Sequence, residues 1–122
     1  MPITSFNYLQ SVSQIEASFS IGGDEVAWIK NTSIEDDGAT LRIRHFGVTT
    51  THLGKDIART FLLDLLGIEV CSQVRIFVFE AVMIDKPHWG RFLNKYGAVN
   101  IGRDSMYLHD SYRMPVQNLK NA

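Results

Sequence analysis

The chain has 122 residues, 45% of them hydrophobic and 20% charged, with 12 basic against 13 acidic side chains and a formal net charge of −1. That length supports one domain with a sizeable core, and the balance excludes bulk disorder and gives no electrostatic reason for a nucleic-acid or anionic-membrane partner. A single cysteine, Cys71, rules out an intrachain disulfide and fits a reducing compartment. The first residues have no basic stretch and no long apolar run, so the expected location is the cytoplasm.

Residues 1–14 form an N-terminal segment in which Phe6, Tyr8 and Val12 fit a short helix or an edge strand. From 15 to 21 the sequence alternates. Ile15, Ala17, Phe19 and Ile21 share one face and Glu16, Ser18 and Ser20 the other, which is the period of a strand with one wet side. Gly22-Gly23-Asp24 supplies a turn, and Glu25 to Lys30 returns as a second strand. Residues 31–39 read as a polar loop whose Glu35-Asp36-Asp37 run is suited to a basic partner or to solvent. A third strand follows from Leu41 to Val48.

After Thr49-Thr50-Thr51 the period changes to that of a helix. Leu53, Ile57, Phe61 and Leu65, with Ala58, Leu62 and Leu66, recur at helical spacing, and Gly67 is a suitable stop. Cys71 reads as a buried, inert thiol. Val74 to Phe79 is apolar on both faces, as in a central strand covered from both sides. Pro87 opens a second helix with Trp89, Phe92, Leu93 and Tyr96 on its buried stripe, and Gly97 ends it. Residues 98–109 are expected to make two short strands turning at Gly102-Arg103-Asp104, and residues 111–122 a loose tail. The main domain therefore spans 15–110. Its order is β-β-β-α-β-α-β-β, an α/β (α+β) class with a mixed, mostly antiparallel sheet. The strand–helix–strand unit over residues 40–79 gives that sheet a parallel central pair.

The run Leu41-Arg-Ile-Arg-His-Phe-Gly-Val48, continued through Gly54-Lys55-Asp56-Ile57-Ala58, resembles the central motif of the GNAT (Gcn5-related N-acetyltransferase) superfamily. Arg91-Phe92-Leu93-Asn94-Lys95-Tyr96-Gly97 resembles its second helical signature, and the likeness covers about residues 24–109. A strand that enters a helix through a tight turn presents the amide end of the helix, which suits phosphate oxygens. The resemblance implies acetyl-coenzyme A as cofactor. Phe46 and Val48 would then offer backbone to the pantetheine arm, and Gly54, Lys55, Ile57 and Ala58 would line the diphosphate turn. The implied activity is acyl transfer to an amine by direct attack. Glu80 is the leading candidate base, His45 a second proton acceptor, and Tyr96 the acid for the leaving thiolate.

Three residues depart from the family pattern. Leu53 stands at an Arg/Gln position, Asp56 at a Gly position, and Leu93 at the usual Tyr. They motivate an alternative in which the fold is retained without catalysis, as a protein-binding module of inhibitor, immunity-type or phage accessory kind. No metal site is expected, because His45, His52, His88 and His109 lack ligand spacing with one another or with Cys71.

Overall fold

A computed structural model describes residues 4–11, 14–49, 57–82, 87–103 and 110–121. The first strand, β1 (Thr4–Gln10), settles the ambiguous N-terminal segment as an edge strand. It pairs antiparallel with β2 (Gln14–Ile21), where Ile15, Ala17 and Phe19 are buried and Glu16 is exposed. Gly22 and Gly23 both hold positive φ (60° and 89°), the geometry of a two-residue hairpin turn whose twist matches the flanking strands.

The next strand, β3 (Asp24–Glu35), is longer than expected and runs through most of the supposed 31–39 loop. Thr32 is fully buried opposite Ile15, and Ile34 packs on the core, so the alternation persists beneath the polar composition. The connection shrinks to residues 36–39, with Asp36, Asp37 and Gly38 all at positive φ.

The expected third strand is present in two pieces, β4 (Thr40–Ile43) and β5 (His45–Val48), separated by a bend at Arg44. Both pair antiparallel with β3, β4 against residues 33–35 and β5 against residues 27–30. Opposite the bend, Asn31 adopts positive φ (56°) and its carbonyl accepts a hydrogen bond from Arg44 Nη1 at 3.2 Å.

Helix α1 (Ile57–Leu65) buries Phe61, Leu62 and Leu65, and Gly67 N–H bonds the Asp64 carbonyl at 3.0 Å just past its end. A short 3-10 turn over residues 69–71 buries Cys71 and leads to β6 (Ile76–Val82). As expected of a central strand, β6 buries Phe77, Val78 and Phe79 on its two faces and pairs in parallel with β4. Helix α2 (Pro87–Lys95) ends in a Schellman motif. Ala98 N–H reaches the Leu93 carbonyl at 2.9 Å and Gly97 N–H the Asn94 carbonyl at 3.2 Å, with Gly97 at φ 68°.

The C-terminal region differs from expectation. Strand β7 (Val99–Arg103) runs through Gly102 and Arg103 without turning there, and the expected second short strand falls on residues 104–109, outside the described residues. The supposed loose tail is β8 (Asp110–Pro115) followed by α3 (Val116–Lys120). β8 inserts between β6 and β7, giving the sheet order β1-β2-β3-β4-β6-β8-β7 with β5 on β3. Met114, Val116 and Leu119 are buried, and Arg59 Nε ties α1 to the Leu119 carbonyl at 2.9 Å. Burial of these apolar groups repays the ordering of a segment whose surface is otherwise polar.

The helices lie on one face. Phe92 of α2 meets Phe79 edge-on (6.2 Å between centroids), Phe61 of α1 packs on Phe46 (6.1 Å), and α3 contacts α1. Crossovers between parallel strands are right-handed as a rule, and β4–α1–β6 and β6–α2–β7 both advance the same way along the sheet, which accounts for both helices lying on the same side. Among the described residues, no helix covers the other face.

Candidate functional site

The parallel ladder between β4 and β6 runs from Thr40↔Ile76 to Ile43↔Phe79 and stops. Beyond it β5 follows β3, while β6 follows β8 as far as Val82↔Asp110. The two central strands part there, leaving among the described residues a V-shaped opening in the middle of the sheet with β5 on one side and Glu80–Val82 on the other. Thr49 N–H donates to the Val26 carbonyl at 2.9 Å. Antiparallel alternation then turns the backbone groups of Phe46 and Val48 away from β3 and toward this opening.

The helix side of the opening is walled by aromatic rings. Phe46 stacks on Phe79 (5.9 Å, 19°) and meets Phe92 edge-on (6.4 Å, 88°). Ile57 and Ala58, at the start of the described part of α1, are half-buried. Gly54 and Lys55, with the departures Leu53 and Asp56, lie outside the described residues.

The opposite face carries an ion-pair cluster at the apex of the V. Arg42 Nε bonds both carboxylate oxygens of Glu35 (3.1 and 3.0 Å), and its Nη1 reaches Glu80 Oε2 at 3.2 Å. Arg44 Nε lies 3.7 Å from the same Glu80 oxygen, Arg44 Nη2 lies 3.9 Å from Glu35, and Arg44 Nη1 bonds Ser33 Oγ at 3.1 Å. Burial alone would raise the Glu35 carboxyl. Hydrogen bonds from Arg42 and Ser33, with the charges of Arg42 and Arg44, outweigh it and hold the group below the usual glutamate value of 4.5. The Arg42 guanidinium is favoured in turn: desolvation opposes its charge, but Glu35 and Glu80 raise its pKa.

Glu80 is thus the first residue of β6 beyond the last ladder pair, half-buried and held by two guanidinium groups. His45 is exposed and begins β5, next to Arg44. Tyr96 is elsewhere. It is 5% exposed on the helix face, its ring packed on Phe92 at 5.1 Å with Lys95 Nζ above it at 5.3 Å. Its carbonyl accepts from Asn118 of α3, which follows the Pro115↔Ile76 end of the sheet. Glu80, His45, Phe46 and Val48 therefore gather around the opening, and Tyr96 sits toward the other end of β6. Leu93 is a core residue at 4% exposure.

The cluster itself was missed in the sequence. The acidic run does not present Glu35 to solvent as a loop, because β3 continues and turns Glu35 onto Arg42, while Asp36 Oδ2 accepts from Thr40 Oγ1 at 2.7 Å. The signal was the spacing of Arg42 and Arg44 two apart in the sequence, with Glu35 across a tight turn. A shallow hollow of about 380 Å³, lined by Leu9, Glu16, Ser18, Trp28 and Lys30 among others, lies over β1–β3 rather than between β5 and β6. Cys71 is buried, and desolvation pushes its thiol up to about 11. Among the described residues, no group of acidic, His or Cys side chains is arranged to hold a metal ion, and no helix is long and apolar enough to cross a membrane.

The mostly antiparallel sheet, its one parallel pair, the divergence beyond that pair and the helix crossing from β4 to β6 together define the fold of the GNAT acetyltransferases. Solved structures bear this out. The PaiA N-acetyltransferase of Thermoplasma acidophilum, in complex with coenzyme A, superposes with a TM-score of 0.66 at 13% identity, over 82% of this chain and 59% of that one. The diaminobutyrate acetyltransferase EctA of Paenibacillus lautus, in complex with L-2,4-diaminobutyric acid and coenzyme A, gives 0.58 at 15% identity, over 82% and 69%. The ribosomal-protein-S18-alanine N-acetyltransferase of Escherichia coli gives 0.59 at 10% identity, over 93% and 94%. At these identities the likeness is one of fold. No family model and no curated protein sequence matches the chain.

Proposed function

We propose that this domain binds an acyl-coenzyme A in the opening between β5 and β6 and passes the acyl group to an amine. The observation that carries this reading is the end of the parallel ladder at Ile43↔Phe79, with the Phe46 and Val48 backbone turned into the gap beyond it. An amide-containing arm fits such a gap, because it can add to the open side of β5 as another strand would. Phe46 and Val48 hold the arm, the β5 amides polarise the acyl carbonyl, and Ile57 and Ala58, at the start of the described part of α1, receive the diphosphate together with Gly54 and Lys55, which lie outside the described residues. The bound cofactor supplies the activated acyl group as a thioester.

Glu80, at the apex of the opening, accepts the proton of the attacking amine directly or through one water, with His45 as second acceptor. Arg42 and Arg44 fix the carboxylate in place. Tyr96, packed at the far end of β6, serves the core in this reading. Amine acceptors agree with the substrate of the diaminobutyrate enzyme that shares the fold.

A second reading, a catalytically silent protein-binding module, is favoured by one observation: Glu80 is engaged by two arginines while Leu93 is buried where the family places a proton donor. Isothermal calorimetry with coenzyme A and acetyl-coenzyme A, on the native chain and on Glu80→Gln, separates the two. The enzyme reading expects both ligands to bind both proteins, with acetyl release to an amine at least tenfold slower in Glu80→Gln. No heat and no thermal shift at millimolar ligand would end it. Binding without transfer in the native chain would leave the binding module.

A further inference from the structure

The two edges of the sheet are built differently. At one edge, β7 is five residues long, carries a register shift between Asn100 and Gly102, and ends in Arg103. The Asn100 side chain takes up the Gly102 N–H at 2.9 Å. A bulge, a terminal charge and a side-chain bond of this kind are how natural sheets blunt an edge against further pairing. At the other edge, β1 has none of these. Its sequence, Thr-Ser-Phe-Asn-Tyr-Leu-Gln, contains no charge, proline or glycine. It pairs with β2 over seven consecutive positions without a shift. It also exposes apolar groups on both faces, Tyr8 at 49% and Leu9 at 74%.

We propose that β1 is a dimerisation strand, pairing antiparallel with β1 of a second copy of this chain about a twofold axis through Asn7. A strand edge that no other described strand pairs presents alternating amide donors and carbonyl acceptors, and another extended polypeptide matches that row. The sequence of β1 favours its own copy. About an axis at Asn7, Phe6 faces the partner's Tyr8, Ser5 faces the partner's Leu9 and Thr4 faces the partner's Gln10. No like charges meet, and the contact closes as a dimer. Phe6 already packs at a tilt on Tyr8 (6.1 Å) and on Phe61 (5.9 Å), so the two copies would join these ring contacts into one aromatic ridge on the helix side. Opposed residues keep to the same face, so the sheet continues across the axis. The opening between β5 and β6 lies beyond β2 and β3 and stays clear of the contact.

Sedimentation velocity over roughly 1–100 µM, where a micromolar dimer dissociates, tests the pairing. The expected result is a dimer, weakened at least tenfold by Leu9→Lys and by Asn7→Lys, whose exposed positions leave the melting temperature of the dissociated monomer unchanged. In Asn7→Cys the new thiols face each other across the axis, and oxidation gives a covalent dimer in which buried Cys71 takes no part. A monomer throughout that range would overturn the proposal. So would a dimer indifferent to both lysines, a species larger than a dimer, or an Asn7→Cys chain that fails to cross-link.

Discussion

Gly47 offers the sharpest test of how the middle of the sheet is built. It sits in β5 directly opposite Trp28 of β3, between Phe46 and Val48, whose side chains face the core. The Trp28 indole lies across the place a side chain at 47 would occupy. A Cβ there would overlap ring atoms Cζ2 and Cε2 and stand 2.7 Å from Nε1. Gly47→Ala must therefore displace the indole or push β5 outward, and overpacking of this kind costs about 1–3 kcal/mol. Against this, alanine in a strand gains roughly 0.5–1 kcal/mol over glycine through the unfolded chain. The net expectation is a loss of up to about 2.5 kcal/mol, with a midpoint worth several degrees of melting temperature for a domain this size. In a Trp28→Ala background the clash is gone, and the same substitution should be neutral or stabilising. Urea unfolding of the four proteins in this double-mutant cycle reads the coupling directly, expected at about 1–3 kcal/mol. If the two substitutions add within about 0.5 kcal/mol, the indole does not lie over Gly47 and the packing described here is wrong.

Two further outcomes follow from the charge and burial of single groups. Because the folded Glu35 carboxyl titrates below the ordinary value of 4.5, its contribution is present above that pH and is lost as pH falls through the folded value. Glu35→Gln should cost at most about 1 kcal/mol at pH 7, given its partial exposure, and flatten the acid limb of a stability–pH curve; an acid limb identical to the native one would refute the assignment. Cys71, with its thiol pushed up to about 11, should react with an aromatic disulfide reagent only on unfolding, and prompt labelling of the native chain at pH 8 would contradict its burial.

The elements that sequence reading recovered are those whose period is enforced by a full face of contacts. Ile15, Ala17 and Phe19 in β2, Phe61, Leu62 and Leu65 in α1, and Phe77 with Phe79 in β6 are all buried where alternation or helical spacing put them. The misses share one cause. Residues 31–35 and 110–119 are polar by composition and become ordered through a few apolar anchors, Ile34, Met114, Val116 and Leu119, whose burial depends on distant partners. β8 pairs with β6 through positions 28 to 39 residues apart (Val82↔Asp110 to Ile76↔Pro115), so nothing local announces it. The break at Arg44 was equally hidden, since Leu41 to Val48 alternates as one strand. It is Asn31 at positive φ, on a different strand, that marks where the pairing is interrupted. For the candidate site, Phe46, Val48 and Glu80 were legible as a strand end facing another strand end. The arginines that hold Glu80 were not.

Those arginines bear on more than the proton transfer proposed for Glu80. The ladder from β4 to β6 has only four paired positions, and the carboxylate of the next residue is tied back across it to Arg42 and Arg44. Arg42 in turn grips Glu35 at the end of β3. The cluster therefore spans three strands at the point where two of them part, and it fixes the angle at which the opening begins. On a sheet face that no described helix covers, side-chain bonds take the place that packing would otherwise fill. In the proposed acyl-transfer reading Glu80 has two separable duties. Glutamine keeps an acceptor for Arg42 and removes the charge, so on that reading the Glu80→Gln chain should retain the opening and the proposed coenzyme A affinity while losing proton acceptance. A parallel loss of affinity would assign the residue to holding the strands apart rather than to the chemistry between them.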